Sequence, residues 1–201
     1  MIQTVDELFG EIDKHFLAEV RLGYYDAFAK TGRNKKGRDT GKQLEHWFKG
    51  ELIYLFSSLQ QQRQILTWDC ELKKERIGQI DFTAEIDDKP SLVYLEMKTM
   101  YLGWQGEYHC TPSTYSAPVG NDVQKLAKCE QGSKFCLLFV YPCSQEELGR
   151  WEDFVTSIQS IQMEPGGALI PVQIDMVDLE RYSPLLCIIK VEIFPLSLEK
   201  A

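Results

Sequence analysis

Three side chains have the types and spacing to do chemistry together: Asp81, Glu96 and Lys98. They sit in two runs that read as strands, 76–86 and 92–100, joined by the turn Asp87-Asp88-Lys89-Pro90. Side chains alternate faces along a strand. Ile80, Phe82, Ala84 and Ile86 therefore share one face, expected to be core, and Gln79, Asp81, Thr83 and Glu85 share the other. In the second run Val93, Leu95 and Met97 take one face, while Tyr94, Glu96 and Lys98 take the other. A hairpin through the turn lays the two polar faces side by side, so that Asp81, Glu96 and Lys98 converge on one patch. That trio suits phosphodiester hydrolysis. Two carboxylates can hold Mg²⁺ through hard oxygen ligands and leave positions for a phosphate oxygen and a water. The metal would acidify that water and offset charge developing on phosphorus. A lysine two residues from the glutamate can orient the water or hold the phosphate.

A lone Glu-x-Lys is more often a solvated cross-strand pair. The context here is more specific: the Glu-x-Lys ends a hydrophobic strand, and an aspartate follows a Gly-x-Ile on the preceding one. A fourth candidate is Glu51. The run 40–59 has helical apolar spacing through Leu44, Trp47, Phe48, Leu52, Leu55, Phe56 and Leu59. Glu51 falls within that stripe, where a carboxylate is costly unless paired or metal-bound. Glu45 lies at the stripe's edge, where solvation is easier. The competing reading of Glu51 is a pair with an interior Arg or Lys.

With these residues in place, the sequence resembles the PD-(D/E)XK nuclease superfamily, the fold of many restriction endonucleases and Holliday-junction resolvases. Gly78-Gln79-Ile80-Asp81 followed by Leu92-Val93-Tyr94-Leu95-Glu96-Met97-Lys98-Thr99 looks like that family's Asp strand and Glu-x-Lys strand. Ile80 stands where the family's name has proline. The resemblance covers roughly 40–141. It implies an α/β fold with a restriction-endonuclease-like αβββαβ core, a mixed central sheet flanked by helices. It also implies metal ligation by Asp81 and Glu96 with help from Glu51, and a catalytic role for Lys98. The expected cofactor is Mg²⁺, with Mn²⁺ able to substitute, and the expected substrate is DNA. Such folds often dimerise to cut both strands, so a homodimer is an expected arrangement. The family often carries a polar or basic residue on the next helix, which makes Gln124 and Lys125 candidates for contacting nucleic acid. A solvated helix face is the plainer reading of each.

The elements that must position these groups can be read in coarser form. A helical stripe, Leu8, Ile12, Phe16 and Val20, opens the chain within 4–29. A basic, glycine-punctuated loop follows, with Lys35, Lys36 and Arg38 placed to grip phosphates or simply to face water. Strands are expected over 64–73, 76–86 and 92–100, and an irregular aromatic loop over 101–119. A helix over 121–131 capped by Asn or Asp comes next, then a buried strand over 134–141 and a helix over 144–162. Late strands are expected over 168–177 and 185–194. The chain reads as one domain, with its core near 40–141, an N-terminal helical extension and a C-terminal helix and strands.

Composition fits this reading. The 201 residues are 44% hydrophobic and 26% charged, ordinary for one globular domain. The net charge of −8 opposes non-specific nucleic-acid binding through basic surface. A metal site needs carboxylates, however, and basic residues concentrate between Lys30 and Lys42. None of the six cysteines forms a C-x-x-C pair, so no zinc knuckle or redox motif is expected. His15 and His46 read as surface histidines. No signal peptide, membrane span or nucleotide-binding glycine loop is evident, so the expectation is a soluble cytoplasmic protein with no nucleotide cofactor. The expected function is metal-dependent DNA endonuclease. The alternatives are a non-catalytic nucleic-acid or protein-binding module on the same scaffold, and a nuclease subunit that needs a partner.

Overall fold

The computed structural model describes residues 1–17, 40–75, 77–89, 91–101, 112–129, 131–141, 172–177 and 187–195. Its elements are α1 (Val5–Phe16), α2 (Thr40–Gln61), β1 (Thr67–Lys74), β2 (Gly78–Glu85), β3 (Leu92–Tyr101), α3 (Pro112–Ala127), β4 (Ser133–Tyr141), β5 (Val172–Val177) and β6 (Cys187–Pro195). The chain is α/β with one mixed sheet in the order β1-β2-β3-β4-β6-β5. β1, β2 and β3 form an antiparallel meander, β4 runs parallel to β3, and β6 and β5 continue antiparallel beyond β4. A parallel neighbour needs a crossover, and α3 lies within that connection.

α1 begins where Thr4, in extended geometry, accepts a hydrogen bond from the Glu7 amide at 3.1 Å. Asp6 and Glu7 in the first turn, and Lys14 and His15 in the last, complement the helix dipole. Leu8, Ile12 and Phe16 are fully buried at helical spacing, as their stripe predicts; Val20 lies outside the described residues. α2 buries Phe48, Leu52, Leu55, Phe56 and Leu59. It closes through Arg63, left-handed at φ 58°, and the Gln64 amide, which bonds the Leu59 carbonyl at 2.8 Å.

α1 and α2 cover one face of the sheet. Their side chains meet Phe82, Ala84, Val93, Leu95, Met97, Phe135, Leu137 and Phe139 in a single apolar core. Phe139 is central to it, stacked on Phe48 at 4.6 Å between ring centroids and 4.8 Å from Phe16. α3 packs against β3 and β4 and buries Val119, Val123 and Leu126. β4 enters through Gly132 at φ 151°, where an added Cβ would lie 2.7 Å from the Leu92 carbonyl oxygen and 2.8 Å from the Tyr94 ring. Only glycine lets β4 settle against β3 there.

Two expectations need correction. The irregular loop expected to reach Val119 gives way to helix at Pro112, and the helix ends at Ala127 without an Asn121 start. Pro112 fits a first turn, where its missing amide costs nothing. Pro118 inside the helix is exposed, so the amide it removes is on the solvent side. The loop residues 102–111, the expected helix over 144–162 and the segment 168–171 lie outside the described residues. Among the described residues no helix is long and apolar enough to cross a membrane.

Candidate functional site

The three strands lose regularity in one row. The β2–β3 ladder pairs Glu85 with Leu92 through to Phe82 with Leu95, then stops. The next pair would be Asp81 and Glu96. Instead the Met97 amide donates to Asp81 Oδ2 at 3.0 Å, so a side chain takes the place of a ladder carbonyl. On the other side β1 pairs Cys70 with Phe82 and Leu72 with Ile80, and Glu71 between them is left-handed at φ 57°. A non-glycine residue in that region is strained by about 1–2 kcal/mol. Glu71, Asp81 and Glu96 thus mark a transverse row where the sheet opens.

Lysines reach into this row from both helices. From α2, Lys49 Nζ lies 3.2 Å from Asp81 Oδ1 and 2.8 Å from Glu71 Oε1. From α3, Lys125 Nζ lies 2.5 Å from Glu96 Oε1 and donates to the Gln79 carbonyl at 2.8 Å. Lys98 Nζ lies 3.0 Å from Asp122 Oδ2 on α3. Each of the three buried or half-buried acids therefore has an ammonium group beside it.

The titration behaviour follows from this crowding. Burial, together with the neighbouring charges of Asp81 and Asp122, pushes Glu96 up to about 8, against the opposing Lys125. Burial also works to raise Asp81, but the Met97 amide, Lys49 and a hydrogen bond with Glu96 hold it below the usual carboxyl value. Near neutrality Glu96 keeps its proton and Asp81 its charge, as two carboxyls in contact must when nothing else separates them. Burial pulls Lys98 down, yet Asp122 and the charges of Glu45 and Asp81 outweigh it, so Lys98 stays a firm cation. Lys49 is raised in the same way by Glu71 and Asp81.

Two buried oxygens here, Glu96 Oε1 and Asp122 Oδ2, lack a well-aligned hydrogen bond although an ammonium is near each. Proximity without alignment leaves part of each oxygen's desolvation cost uncompensated. Among the described residues no group of three or more His, Cys, Asp or Glu is arranged about a common metal position. The carboxyls of Asp81 and Glu96 are nonetheless neighbouring hard donors, and Glu96 Oε1 is under-bonded. That is a donor set suited to Mg²⁺ or Mn²⁺, which keep several waters and need few protein ligands.

Asp81, Glu96 and Lys98 are thus brought to one place. Glu51 meets a different partner: its Oε2 lies 2.8 Å from His15 Nε2 on α1. The reason is angular. At about 100° per residue, Glu51 and Lys49 stand roughly 200° apart on α2. Lys49 and Glu45 flank the buried stripe on the sheet-opening side, and Glu51 flanks it on the α1 side. The inward glutamate has a histidine on α1 beside it, and His15, 9% exposed at its side chain, is no surface residue. Lys125, weighed as a nucleic-acid contact, is engaged with Glu96 and Gln79. Gln124 is half-buried on α3. Lys35, Lys36 and Arg38 lie outside the described residues.

Sequence reasoning missed Lys49, Glu71 and Asp122. Asp122 could have been found by the rule that singled out Glu51, because it lies inside the Val119, Val123, Leu126 stripe of α3. Glu71 carries no signal in the sequence.

No protein-family model, curated protein or solved structure matches this chain.

Proposed function

We propose that the chain is a Mg²⁺-dependent nuclease hydrolysing DNA, on a restriction-endonuclease-like core formed by α2, β1, β2, β3, α3 and β4. The observation that carries this reading is the juxtaposition of Asp81 and Glu96 in the row where the β2–β3 ladder stops and the Met97 amide turns to the Asp81 carboxylate. The order α-β-β-β-α-β, with β4 parallel to β3, agrees with it. Asp81 and Glu96 would hold the metal, which would supply an acidified water and charge neutralisation at phosphorus. Lys98, kept cationic by Asp122, would stabilise the non-bridging phosphate oxygens rather than remove a proton.

The test is incubation of the protein with plasmid and branched DNA in Mg²⁺, Mn²⁺ or EDTA. Cleavage is expected with either metal and not with EDTA. Lys98→Ala and Asp81→Ala are each expected to lower the rate about 10²–10³-fold, the scale seen when one transition-state contact is removed. Cleavage at full rate in Asp81→Ala, or in EDTA, rules the site out.

One observation favours a second reading. Asp81, Glu96 and Asp122 each already have a lysine within 3.2 Å, so each acid has a cationic partner among the chain's own side chains. A non-catalytic nucleic-acid-binding module on the same scaffold would need no more. Calorimetric titration separates the two: DNA binding without Mn²⁺ binding selects the module.

A further inference from the structure

Lys49 holds a position that the proposed reaction does not use. Its ammonium lies between two carboxylates of opposite character. Asp81 is half-buried, fixed by the Met97 amide, and is the proposed metal ligand. Glu71 is exposed, on β1, with a left-handed backbone in an otherwise regular ladder. The left-handed residue is also the acid that, among the described residues, meets Lys49 outside the buried cluster. Two cations cannot share Asp81 Oδ1 closely: their repulsion at short range in a half-buried setting is several times that in water. An ammonium and a divalent ion must therefore compete for it.

We propose that Lys49 is the resident cation of Asp81, and that a divalent ion binding there displaces it onto Glu71, which serves as its second seat. This rests on the metal-site reading of Asp81 and Glu96 and adds an exchange of partners to it. Lys49 sets how readily the metal binds, because the intrinsic affinity of the carboxylates is reduced by the contact that must first be broken. Glu71 lowers that cost by holding the displaced ammonium at 2.8 Å, a contact already made before the exchange. The chain keeps Asp81 paired at all times, and the lysine stays at the mouth of the opening, where a phosphate oxygen could next receive it.

The exchange is tested by Mn²⁺ titration calorimetry on the full chain, with no DNA and no turnover. Lys49→Met removes the competitor, so Mn²⁺ affinity should rise roughly tenfold, the effect of deleting one charge contact from a half-buried carboxylate. Glu71→Gln removes the second seat, so affinity should fall about threefold, as expected for an exposed partner. In the double variant Lys49→Met/Glu71→Gln the Glu71 effect should vanish, because the seat has no occupant. Glu71 is on the surface, so that variant folds whatever becomes of Lys49→Met, and thermal melts confirm each. Unchanged or weakened Mn²⁺ binding in Lys49→Met overturns the exchange while leaving the metal site standing. Additive effects in the double variant overturn the role of Glu71. Mn²⁺ binding by Lys49→Met but not by the unaltered chain supports the exchange in its strongest form. Absence of Mn²⁺ binding in both chains overturns the exchange together with the metal site.

Discussion

The two faces of one strand behave as different materials. On the side covered by α1 and α2, β3 presents Val93, Leu95 and Met97 to a core of phenylalanines and leucines. On the side covered by α3, the same strand presents Tyr94, Glu96 and Lys98 among Asp122 and Lys125. One residue of register separates them, and a slip by one would exchange the two faces completely. The dry face contributes packing without polar obligations. The charged face carries acids that are under-bonded or still protonated, which costs stability. The contrast shows how a sheet can hold unfavourable charge: the strand that presents it is anchored from behind.

That comparison breaks first if the dry face is not the anchor. Phe139 is fully buried and touches both Phe48 and Phe16. Phe139→Ala should cost about 3–5 kcal/mol in urea unfolding, by lost transfer energy and the cavity left behind. A cost under about 1 kcal/mol would show that the aromatic cluster repacks freely and that the anchor lies elsewhere.

The charged face yields an effect of opposite sign. Glu96 is raised in the folded protein from an ordinary value of 4.5 to about 8. A carboxyl raised by folding contributes stability that is fully present below its unfolded value and lost as pH rises through the folded one. In EDTA the chain should therefore lose stability between about pH 4.5 and about pH 8 on account of this group. Glu96→Gln does not titrate. It should match the unaltered chain at pH 4.5 and exceed it by several kcal/mol above pH 8. Parallel stability curves for the two proteins across that window would mean that the Glu96 carboxyl carries no such burden.

How much of this the sequence could show depended on the kind of signal. Strands and helices with an apolar period were legible: 40–59 against the observed Thr40–Gln61, and 92–100 against Leu92–Tyr101. The helix from Pro112 was not, because two prolines and a glycine mark breaks locally while Val119, Val123 and Leu126 decide the matter by burial. The convergence of Asp81, Glu96 and Lys98 was legible because alternation and one turn fix it. The departure at Glu71 was not, since a left-handed residue within a strand depends on what lies across from it. Lys49 required knowing which flank of a helix meets the sheet, a tertiary fact that a wheel cannot supply, whereas Asp122 lies inside the Val119, Val123 and Leu126 stripe that a wheel shows.

Glu51 tests that flank directly, with the smallest expected effect. On a wheel alone it is as inward as any acid on α2, and its partner could have been a metal or a cation. The structure gives it His15, joining α2 to α1 at the back of the dry face. Its carboxylate then belongs to the anchor, not to the charged side, and replacing it should register in stability alone. Glu51→Gln should cost about 0.5–1.5 kcal/mol, the range for one partly buried hydrogen-bonded contact. Its Mn²⁺ affinity should stay within about twofold of the unaltered chain, as for an independent site, whereas Asp81→Asn should abolish measurable binding. If calorimetry instead finds Glu51→Gln as deficient as Asp81→Asn, α2 must turn its other flank to the metal. The division between a dry anchor and a charged face would then have to be redrawn around that helix.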